Sequence, residues 1–425
     1  MNRVYHTFHV KDTELMKHQM LSWTNQFSIC CFMDNHQYNA AHQTYECIAG
    51  VGILDAFEPG QDFFNSLSAF LQSNDDWLFG HFNYELKNKI EPKLLSQHPD
   101  SCGFPDCFLY VPEVLLALND GVLSIGVCND NVEEIYKQIL QIIPEPMVLS
   151  KASIKPRQTK EDYLDAVNKL KEHIHYGDCY VINYCQEFLA EANIHPLSVY
   201  RKLSSLSPNP FAAYYKLIDK YLMCASPERF VQKEGPKIIS QPIKGTIARD
   251  KIVAENDDLN KEQLINNKKE RSENVMVVDL VRNDLSKICD DGSVVVDELF
   301  GLYSFPNVHH MISTVSGRLS PNKSFVDVIQ AMFPMGSMTG APKIKVMELT
   351  EQYEKSKRGI YSGTVGYITP DKDFDFNVVI RSLVYNETSQ QLSFHVGSAI
   401  TAYCNAEKEY EECLLKGEAI MKIFS

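Results

Sequence analysis

The stretch that indicates the fold class is Lys160-Glu-Asp-Tyr-Leu-Asp-Ala-Val-Asn-Lys-Leu-Lys-Glu-His-Ile-His-Tyr176. Its helical pattern gives way at once to a strand. Its apolar residues recur at helical spacing and are Tyr163, Ala166, Val167, Leu170 and Ile174. Gly177-Asp178 ends this pattern, and the apolar run Cys179–Phe188 follows. The spacing therefore predicts a helix over 160–176 that leads directly into a strand.

Helices and strands follow one another irregularly in the rest of this part of the chain. We predict further helices at Asp258–Ile288, Pro342–Glu354 and Ala406–Ile423, and strands at Gly363–Ile368, Val378–Tyr385 and Gln391–Val396. A doubly wound parallel sheet requires regular alternation of strands and helices, and this chain lacks it. We therefore expect an α+β fold.

The first 150 residues carry short apolar runs separated by polar turns, for example Phe27–Phe32 and Tyr45–Ile53, and a helical segment near Phe63–Gln72. Such runs predict the strands of a sheet. Three prolines and a serine-containing stretch between positions 144 and 156 break the pattern. We expect a junction there, with an N-terminal part over 1–150 and a catalytic core over 151–425, packed into one α+β unit.

Composition and charge exclude several classes of protein. Of 425 residues, 44% are hydrophobic and 23% are charged, and 41 basic against 55 acidic residues give a net charge of −14. That balance disfavours binding to nucleic acid or to an anionic membrane. No apolar span is long enough for a membrane helix, and the N-terminus lacks the apolar core of a signal peptide. We expect a cytoplasmic protein whose twelve scattered cysteines are reduced, since Cys102 and Cys107 with His98 fit no common zinc spacing.

Two Glu-x-x-Glu pairs stand far apart in the sequence, Glu270/Glu273 and Glu409/Glu412, both in predicted helices. Residues three apart share a helix face, so each pair can direct two carboxylates at one point. Four converging carboxylates repel one another unless a hard cation lies among them, and Mg²⁺ prefers such oxygen ligands. The alternative for each pair is an ordinary solvated helix face.

Lys244 lies in Gln241-Pro-Ile-Lys-Gly-Thr246, which we interpret as a turn after a strand over 236–241. A lysine at a turn is usually a solvated charge, but near another cation it can lose its proton and become a nucleophile. Glu228, in the upstream motif Ser226-Pro-Glu-Arg-Phe230, is a candidate general acid or base.

Three further segments carry polar groups suited to an anionic ligand. Ser337-Met-Thr-Gly-Ala-Pro-Lys343 lacks Walker A spacing, and we interpret it as Thr339 capping a helix with Pro342 in its first turn. Such a helix start offers free amides to an anion, although an ordinary cap explains it equally well. His310 can hydrogen-bond a substrate as a neutral imidazole, or pack within its strand. Arg381, in an apolar predicted strand, suits a carboxylate partner unless that face is exposed.

Seven motifs together resemble the chorismate-utilising enzymes, which comprise anthranilate, aminodeoxychorismate, isochorismate and salicylate synthases. In order they are Ser226-Pro-Glu-Arg-Phe230, Pro242-Ile-Lys-Gly-Thr246, Glu273-Asn-Val-Met-Val-Val-Asp-Leu-Val-Arg-Asn-Asp284, His309-His-Met-Ile-Ser-Thr314, Gly336-Ser-Met-Thr-Gly-Ala-Pro-Lys343, Arg358-Gly-Ile-Tyr-Ser-Gly-Thr-Val-Gly366 and Ile380-Arg-Ser382. The resemblance is strong from Ser153 to Phe424 and weaker before, where Gly80–Lys89 is similar to the aminating members. It implies large, mainly antiparallel sheets packed as a sandwich, with helices outside.

The resemblance also implies roles for individual residues. Glu273 and Glu412 are expected to bind Mg²⁺ directly, while Glu270 and Glu409 hold its waters, and the metal binds the ring carboxylate of chorismate. Further substrate contacts are expected from Thr246, His310, Ser337, Tyr361, Arg381, Gly397, Ser398 and Lys416. Lys416 has a simpler alternative, a surface ion pair with Glu412 four residues before it.

Within the family, the resemblance favours the branch that aminates chorismate at C4. Members that add water carry a lysine base where this chain has Val181, and anthranilate synthases carry a small residue where Lys244 stands. Lys244 is therefore expected to attack ring C2, assisted by Glu228, before ammonia enters at C4. The product would be 4-amino-4-deoxychorismate, on the route to 4-aminobenzoate and folate.

Two departures from the family pattern accompany this expectation. The chain has Gly397-Ser-Ala399 where the family has a Gly-Ala-Gly-like turn, and Val181 where aminating members usually have glutamine. The chain shows no Gly-x-Cys-x-Gly elbow of a glutaminase, so we expect ammonia from a separate glutamine amidotransferase subunit, and we expect no lyase domain. The alternatives are an anthranilate synthase component I and a catalytically silent member that binds chorismate or tryptophan.

Overall fold

A computed structural model describes residues 3–38, 42 and 44–424. Within this part of the chain the α-helices are α1 Thr13–Thr24, α2 Phe63–Ser73, α3 Lys87–Ile90, α4 Val132–Gln141, α5 Lys160–Tyr176, α6 Pro196–Leu206, α7 Ala254–Asn266, α8 Lys268–Ser286, α9 Phe325–Met332, α10 Lys343–Tyr353 and α11 Ala406–Met421. Short 3-10 helices cover Tyr84–Leu86 and Gly336–Met338. None of the helices described is long and apolar enough to cross a membrane.

The strands form two large sheets. The strands of the first sheet are β1 Val4–His9, β2 Ile29–Asp34, β3 Cys47–Val51, β7 Val114–Asn119, β8 Val122–Val127, β9 Lys155–Pro156, β10 Val181–Glu191, β11 Phe211–Leu217, β12 Lys220–Ser226, β18 Gly340–Ala341, β21 Ser382–Asn386 and β22 Gln391–Ile400. Those of the second are β4 Asp55–Ala56, β5 Leu78–Phe82, β6 Cys107–Val111, β13 Arg229–Glu234, β14 Lys237–Gln241, β15 Ile243–Ala248, β16 Val295–Ser304, β17 Val308–Arg318, β19 Thr364–Ile368 and β20 Phe374–Asn377.

The two sheets pack face to face, with helices on their outer faces. Between them lie buried aromatic and aliphatic side chains such as Phe79, Tyr215 and Tyr367. On the outer face of the first sheet, α1, α4, α5, α6 and α11 contribute to one core, and on that of the second, α2, α8 and α9 contribute to another. All strand pairs identified are antiparallel. The expected α+β sandwich with outer helices is confirmed.

Helix α5 and the strand that follows it form where the sequence predicts them. Thr159 and Asp162 form a capping box at the start of α5, and Gly177, with a φ of +86°, ends the helix. The following strand β10 runs antiparallel to β22 in an unbroken ladder from Ile182 opposite Ile400 to Glu191 opposite Gln391. This ladder supports one wall of the site described below.

Both sheets combine strands from before and after residue 150. For example, β2 pairs with β11 in the first sheet, and β5 pairs with β19 in the second. The division into parts at residue 150 stays a prediction.

Two predicted elements differ from the structure. The helix expected over 258–288 is two helices, because the Asn267 side chain accepts hydrogen bonds from the amides of Lys269 and Glu270 and starts α8 afresh. The strand expected over 378–385 is wrong in its first half, since β21 begins only at Ser382. Arg381 lies just before it in a left-handed conformation, with a φ of +52°.

The buried side chain of Arg358 joins three segments that border the site. It donates to both oxygens of Glu354 at 2.9 and 2.6 Å, to the carbonyl of Met338 at 2.6 Å and to that of Asn183 at 2.8 Å. These contacts tie the end of α10 to β10 and to the 3-10 helix over 336–338. A charge buried at this depth is stabilised only if all of its partners stay in place.

We predict that Arg358→Met lowers the free energy of unfolding by about 3–5 kcal/mol, because Glu354 would remain as a buried charge without its partner. Urea unfolding at pH 7 measures this change. The control is Arg282→Met on α8, whose ion pair with Asp279 is exposed and is expected to contribute under about 1 kcal/mol. A loss below about 1 kcal/mol for Arg358→Met would contradict the prediction.

Candidate active site

Lys244 lies in strand β15 and not in the turn that the sequence analysis predicted. The pairing of β15 with β17 is irregular between Ile243 and Thr246, so Lys244 and Gly245 form a bulge. Gly245 has a φ of +94°, and a Cβ there would lie 3.3 Å from Glu270 Oε2. The Lys244 Nζ donates to the carbonyl of Ser337 at 3.4 Å. The bulge therefore places the lysine between the first predicted glutamate pair and the 336–343 loop.

Glu228 is buried beside Lys244, at the junction between β12 and β13. Burial raises the pKa of its carboxyl to about 7, against the opposing effects of a Ser337 hydrogen bond and the Lys244 charge. A carboxyl with such a pKa can donate and accept protons near neutral pH.

The two glutamate pairs come together although they are about 140 residues apart in the chain. Lys269 Nζ lies 2.9 Å from Glu409 Oε1 on α11 and 3.8 Å from Glu273 Oε1 on α8. Burial raises the pKa of Glu273 to about 7, while Lys244 and Lys269 oppose that effect and Glu270 and Glu412 add to it. The fold thus brings one glutamate of each pair to the same lysine.

The chemistry of this cluster fits a hard cation. Glu273 and Glu409 are buried, and Glu273 Oε1 and Glu409 Oε2 accept no hydrogen bond from the residues that the structure describes. A buried carboxylate oxygen without a partner is costly, so these oxygens are suited to bind a cation. Among the described residues, no three acidic, histidine or cysteine side chains converge closely enough to hold an ion in this conformation. The assignment of Mg²⁺ ligands stays a prediction.

The 336–343 segment approaches the site differently from the prediction. Helix α10 begins at Lys343 with Pro342 as its N-cap residue, and the Thr339 hydroxyl donates to the carbonyl of Met335. The predicted Thr339 cap is therefore wrong. Gly340 allows the loop to lie against β10, since a Cβ there would come within 2.1 Å of the Val181 carbonyl oxygen. Ser337 is consequently held next to Glu228 and Lys244.

Arg381 lies close enough to Tyr361 and Glu412 for both to affect its ionisation. Burial lowers the pKa of Arg381, while Tyr361 and Glu412 act in the opposite direction. The Tyr361 ring stacks on His395 with centroids 5.1 Å apart, and its hydroxyl lies 4.0 Å from Cys185 Sγ. A partly buried guanidinium near a tyrosine suits a carboxylate ligand.

Thr246 and His310 face each other across the β15–β17 pair. Thr246 Oγ1 and His310 Nδ1 are 2.8 Å apart, and burial lowers the pKa of His310 to about 3. The imidazole is therefore neutral at physiological pH, which suits a hydrogen-bonding role.

The residues Gly397-Ser-Ala399 belong to strand β22, so the turn expected there is wrong. The Ser398 hydroxyl contacts the Tyr163 hydroxyl at 3.1 Å on the helix-covered face of the sheet. Lys416 reaches Gly397, donating to its carbonyl at 2.9 Å, and forms an ion pair with Glu412 at 2.6 Å.

Two residues of the site were missed in the sequence. Lys269 precedes Glu273 by four positions, a spacing that places both on one helix face and that was available as a signal. Cys185 lies opposite Gly397 in the ladder and beside Tyr361, and the sequence held no such signal for it.

Comparison with known proteins identifies the family to which this chain belongs. A family model described as chorismate binding enzyme matches residues 32–422. An anthranilate synthase component I-like protein of Synechocystis is 34% identical over 352 residues, which are 81% of this chain and 72% of that protein. Aminodeoxychorismate synthase component 1 of Bacillus subtilis is 36% identical over 264 residues, which are 62% of this chain and only 56% of that enzyme.

Solved structures share the fold. Anthranilate synthase component I from Streptococcus pneumoniae superposes with a TM-score of 0.76 and 24% identity, over 91% of this chain and 95% of that one. The menaquinone-specific isochorismate synthase from Escherichia coli superposes with a TM-score of 0.78 and 15% identity, over 100% of this chain and 94% of that one. Both likenesses concern the fold alone.

We predict that Glu228→Gln stabilises the protein progressively as pH rises. The pKa of Glu228 is about 7 in the folded protein, above its ordinary value, so the stability associated with the protonated carboxyl is lost between about pH 4.5 and pH 7. Glutamine removes that loss, so the stability difference from wild type should grow by about 3 kcal/mol across this interval. Urea unfolding at pH 4.5, 6, 7 and 8 measures it.

The matched control is Glu262→Gln on the exposed side of α7. Its stability difference from wild type should stay within about 0.5 kcal/mol at every pH. A pH-independent difference for Glu228→Gln as well would show that Glu228 titrates normally.

Proposed function

This chain belongs to the chorismate-binding enzyme family, and on that basis we propose that it aminates chorismate at C4. The product is 4-amino-4-deoxychorismate, the reaction depends on Mg²⁺, and ammonia comes from a glutamine amidotransferase subunit. The observation that carries this proposal is the placement of Lys244 next to Glu228 and the glutamate cluster. We further propose that the protein works in the cytoplasm, on the route to 4-aminobenzoate and folate.

Lys244 and Glu228 are suited to the first displacement. In its unprotonated form, the Lys244 amine forms a bond to ring C2, the two conjugated ring double bonds shift, and the C4–oxygen bond breaks. Glu228 donates its proton to the leaving hydroxyl, which departs as water. A carboxyl with a pKa of about 7 is partly protonated at neutral pH and can supply that proton.

The second displacement reverses the first. Ammonia forms a bond to C4, the two double bonds shift back, and the bond between C2 and the Lys244 nitrogen breaks. One proton of the entering ammonia is lost, and Glu228, now ionised, can accept it. The net change replaces the C4 hydroxyl by an amino group and restores both side chains.

The remaining residues would hold the substrate in place. Glu270, Glu273, Glu409 and Glu412 would hold Mg²⁺, which would neutralise the ring carboxylate. Arg381 with Tyr361 would bind the enolpyruvyl carboxylate, and Lys416 would contribute a further positive charge. Thr246, His310 and Ser337, with the backbone at Gly397 and Ser398, would contact the ring and its substituents.

A second candidate function is that of an anthranilate synthase component I. Relatives with that name cover more of this chain, as in Thermus thermophilus, where 31% identity extends over 81% of this chain and 76% of that enzyme. Lys244 favours the C4 reaction. A lysine that first bonds to C2 and is then displaced gives ammonia a route to C4, whereas direct addition of ammonia at C2 needs no such nucleophile.

The two candidates predict different products from chorismate, Mg²⁺ and ammonium. We expect no anthranilate fluorescence, and 4-aminobenzoate only after an aminodeoxychorismate lyase is added. Chromatography of the products with and without the lyase measures this. Anthranilate formed without lyase would establish the second candidate, and no turnover with either ammonium or a glutaminase partner would indicate a silent member.

We predict that Lys244→Ala reduces ammonium-dependent amination by at least about a hundredfold, because the nucleophile is lost. Chorismate binding, measured by calorimetry with Mg²⁺ present, should remain within about threefold of wild type, since the metal and Arg381 hold the carboxylates. The control is Lys251→Ala, which removes an exposed lysine seven positions away. Full activity in Lys244→Ala would exclude the covalent step.

A further inference from the structure

Lys269 ends among the four glutamates, although no step of the proposed chemistry uses it. It lies in the first turn of α8, and its Nζ contacts Glu273 at 3.8 Å and Glu409 at 2.9 Å. The first contact follows from i,i+4 spacing on one helix. The second joins α8 to α11, so the ammonium group bridges the two glutamate pairs.

The other two lysines of the site are held elsewhere. Lys416 is held by Glu412 and by the carbonyl of Gly397, and Lys244 donates to the carbonyl of Ser337. Only Lys269, among these three, contacts one carboxylate from each helix. Its ammonium therefore lies between the two pairs, where a cation shared by both would compete with it for the same carboxylates.

Lys269 satisfies these carboxylates incompletely. Glu273 Oε1 is too far from it for a hydrogen bond, and Glu409 Oε2 also accepts none from the described part of the chain. A buried charged oxygen without a hydrogen bond costs about 1–3 kcal/mol or more. The oxygens thus retain binding capacity that one ammonium group does not use.

We propose that Lys269 is the counter-ion of this site in the metal-free protein and competes with a divalent cation for Glu273 and Glu409. The inference rests on the metal site of the proposed function. It also accounts for the carboxylates lying too far apart to hold an ion among the described residues, because an ammonium group separates them. The Lys269 side chain is 41% exposed, so it can rotate into solvent without opening the fold.

Two effects of removing Lys269 follow, and they have opposite signs. Without a metal, the four carboxylates would lose their bridging charge, so the thermal unfolding midpoint should fall. With a metal, no ammonium would have to be displaced, so the divalent cation should bind more tightly. A residue that merely supported the structure would lower the midpoint without improving metal binding.

The experiment titrates Mn²⁺, and separately Mg²⁺, into the full chain without chorismate, by calorimetry. For Lys269→Met we expect a Kd about tenfold or more lower than for wild type, because a positive charge a few ångströms from the metal is removed. We also expect a larger metal-induced rise in the unfolding midpoint. The matched control is Lys268→Met, which removes the same charge from an exposed neighbour and should leave the Kd within about twofold.

Equal or weaker metal binding by Lys269→Met would overturn the proposal. If that variant failed to fold, Lys269→Gln, which keeps a hydrogen-bonding end without the charge, carries the same expectation. Absence of binding in wild type and variants alike would also overturn it, together with the metal site. None of these titrations depends on which carbon of chorismate is aminated, so the product assay tests the amination separately.

Discussion

Repulsion among four carboxylates is the constraint on which the arrangement of this site depends. Two like charges about 4 Å apart cost on the order of 4 kcal/mol at the effective dielectric near a protein surface. The chain reduces that cost by interleaving Lys244, Lys269 and Lys416 with the glutamates. The carboxyls then differ in pKa. Burial raises the pKa of Glu273, whereas the pKa of Glu412 is lowered, because Lys416, Lys269 and Lys244 outweigh the effect of burial.

The sandwich explains how residues so distant in sequence meet. The 336–343 loop reaches the first sheet through β18, which pairs with β10, and β10 pairs in turn with β22. Lys244 comes from the second sheet, and α8 packs on that sheet while α11 packs on the first. The site therefore lies where two sheets and their covering helices converge, and each contributes charges that the others need.

Much of this could be predicted from the sequence, where local signals were strong. Helix α5 has a capping box, a regular apolar face and a terminal glycine, and its predicted bounds match the structure. The family resemblance assigned the glutamates, Lys244 and Glu228 to one site. Other positions were harder: the break at Asn267 comes from a local side-chain cap but interrupts no apolar pattern, and the left-handed Arg381 follows valines and an isoleucine that resemble a strand. The bulge at Lys244 likewise depends on pairing with β17, which no local pattern reveals.

The break at Asn267 has an electrostatic consequence. Because α8 starts anew there, Glu270 stands in its first turn, and Glu409 stands in the first turn of α11 after its own cap at Asn405. Peptide dipoles sum along a helix and leave partial positive charge at its N-terminus, which favours a nearby anion by about 0.3–1 kcal/mol. Two helices therefore direct the positive ends of their dipoles at one acidic cluster. A continuous helix through residue 267 would have placed Glu270 in mid-helix, and the dipole of only one helix would then favour the acidic cluster.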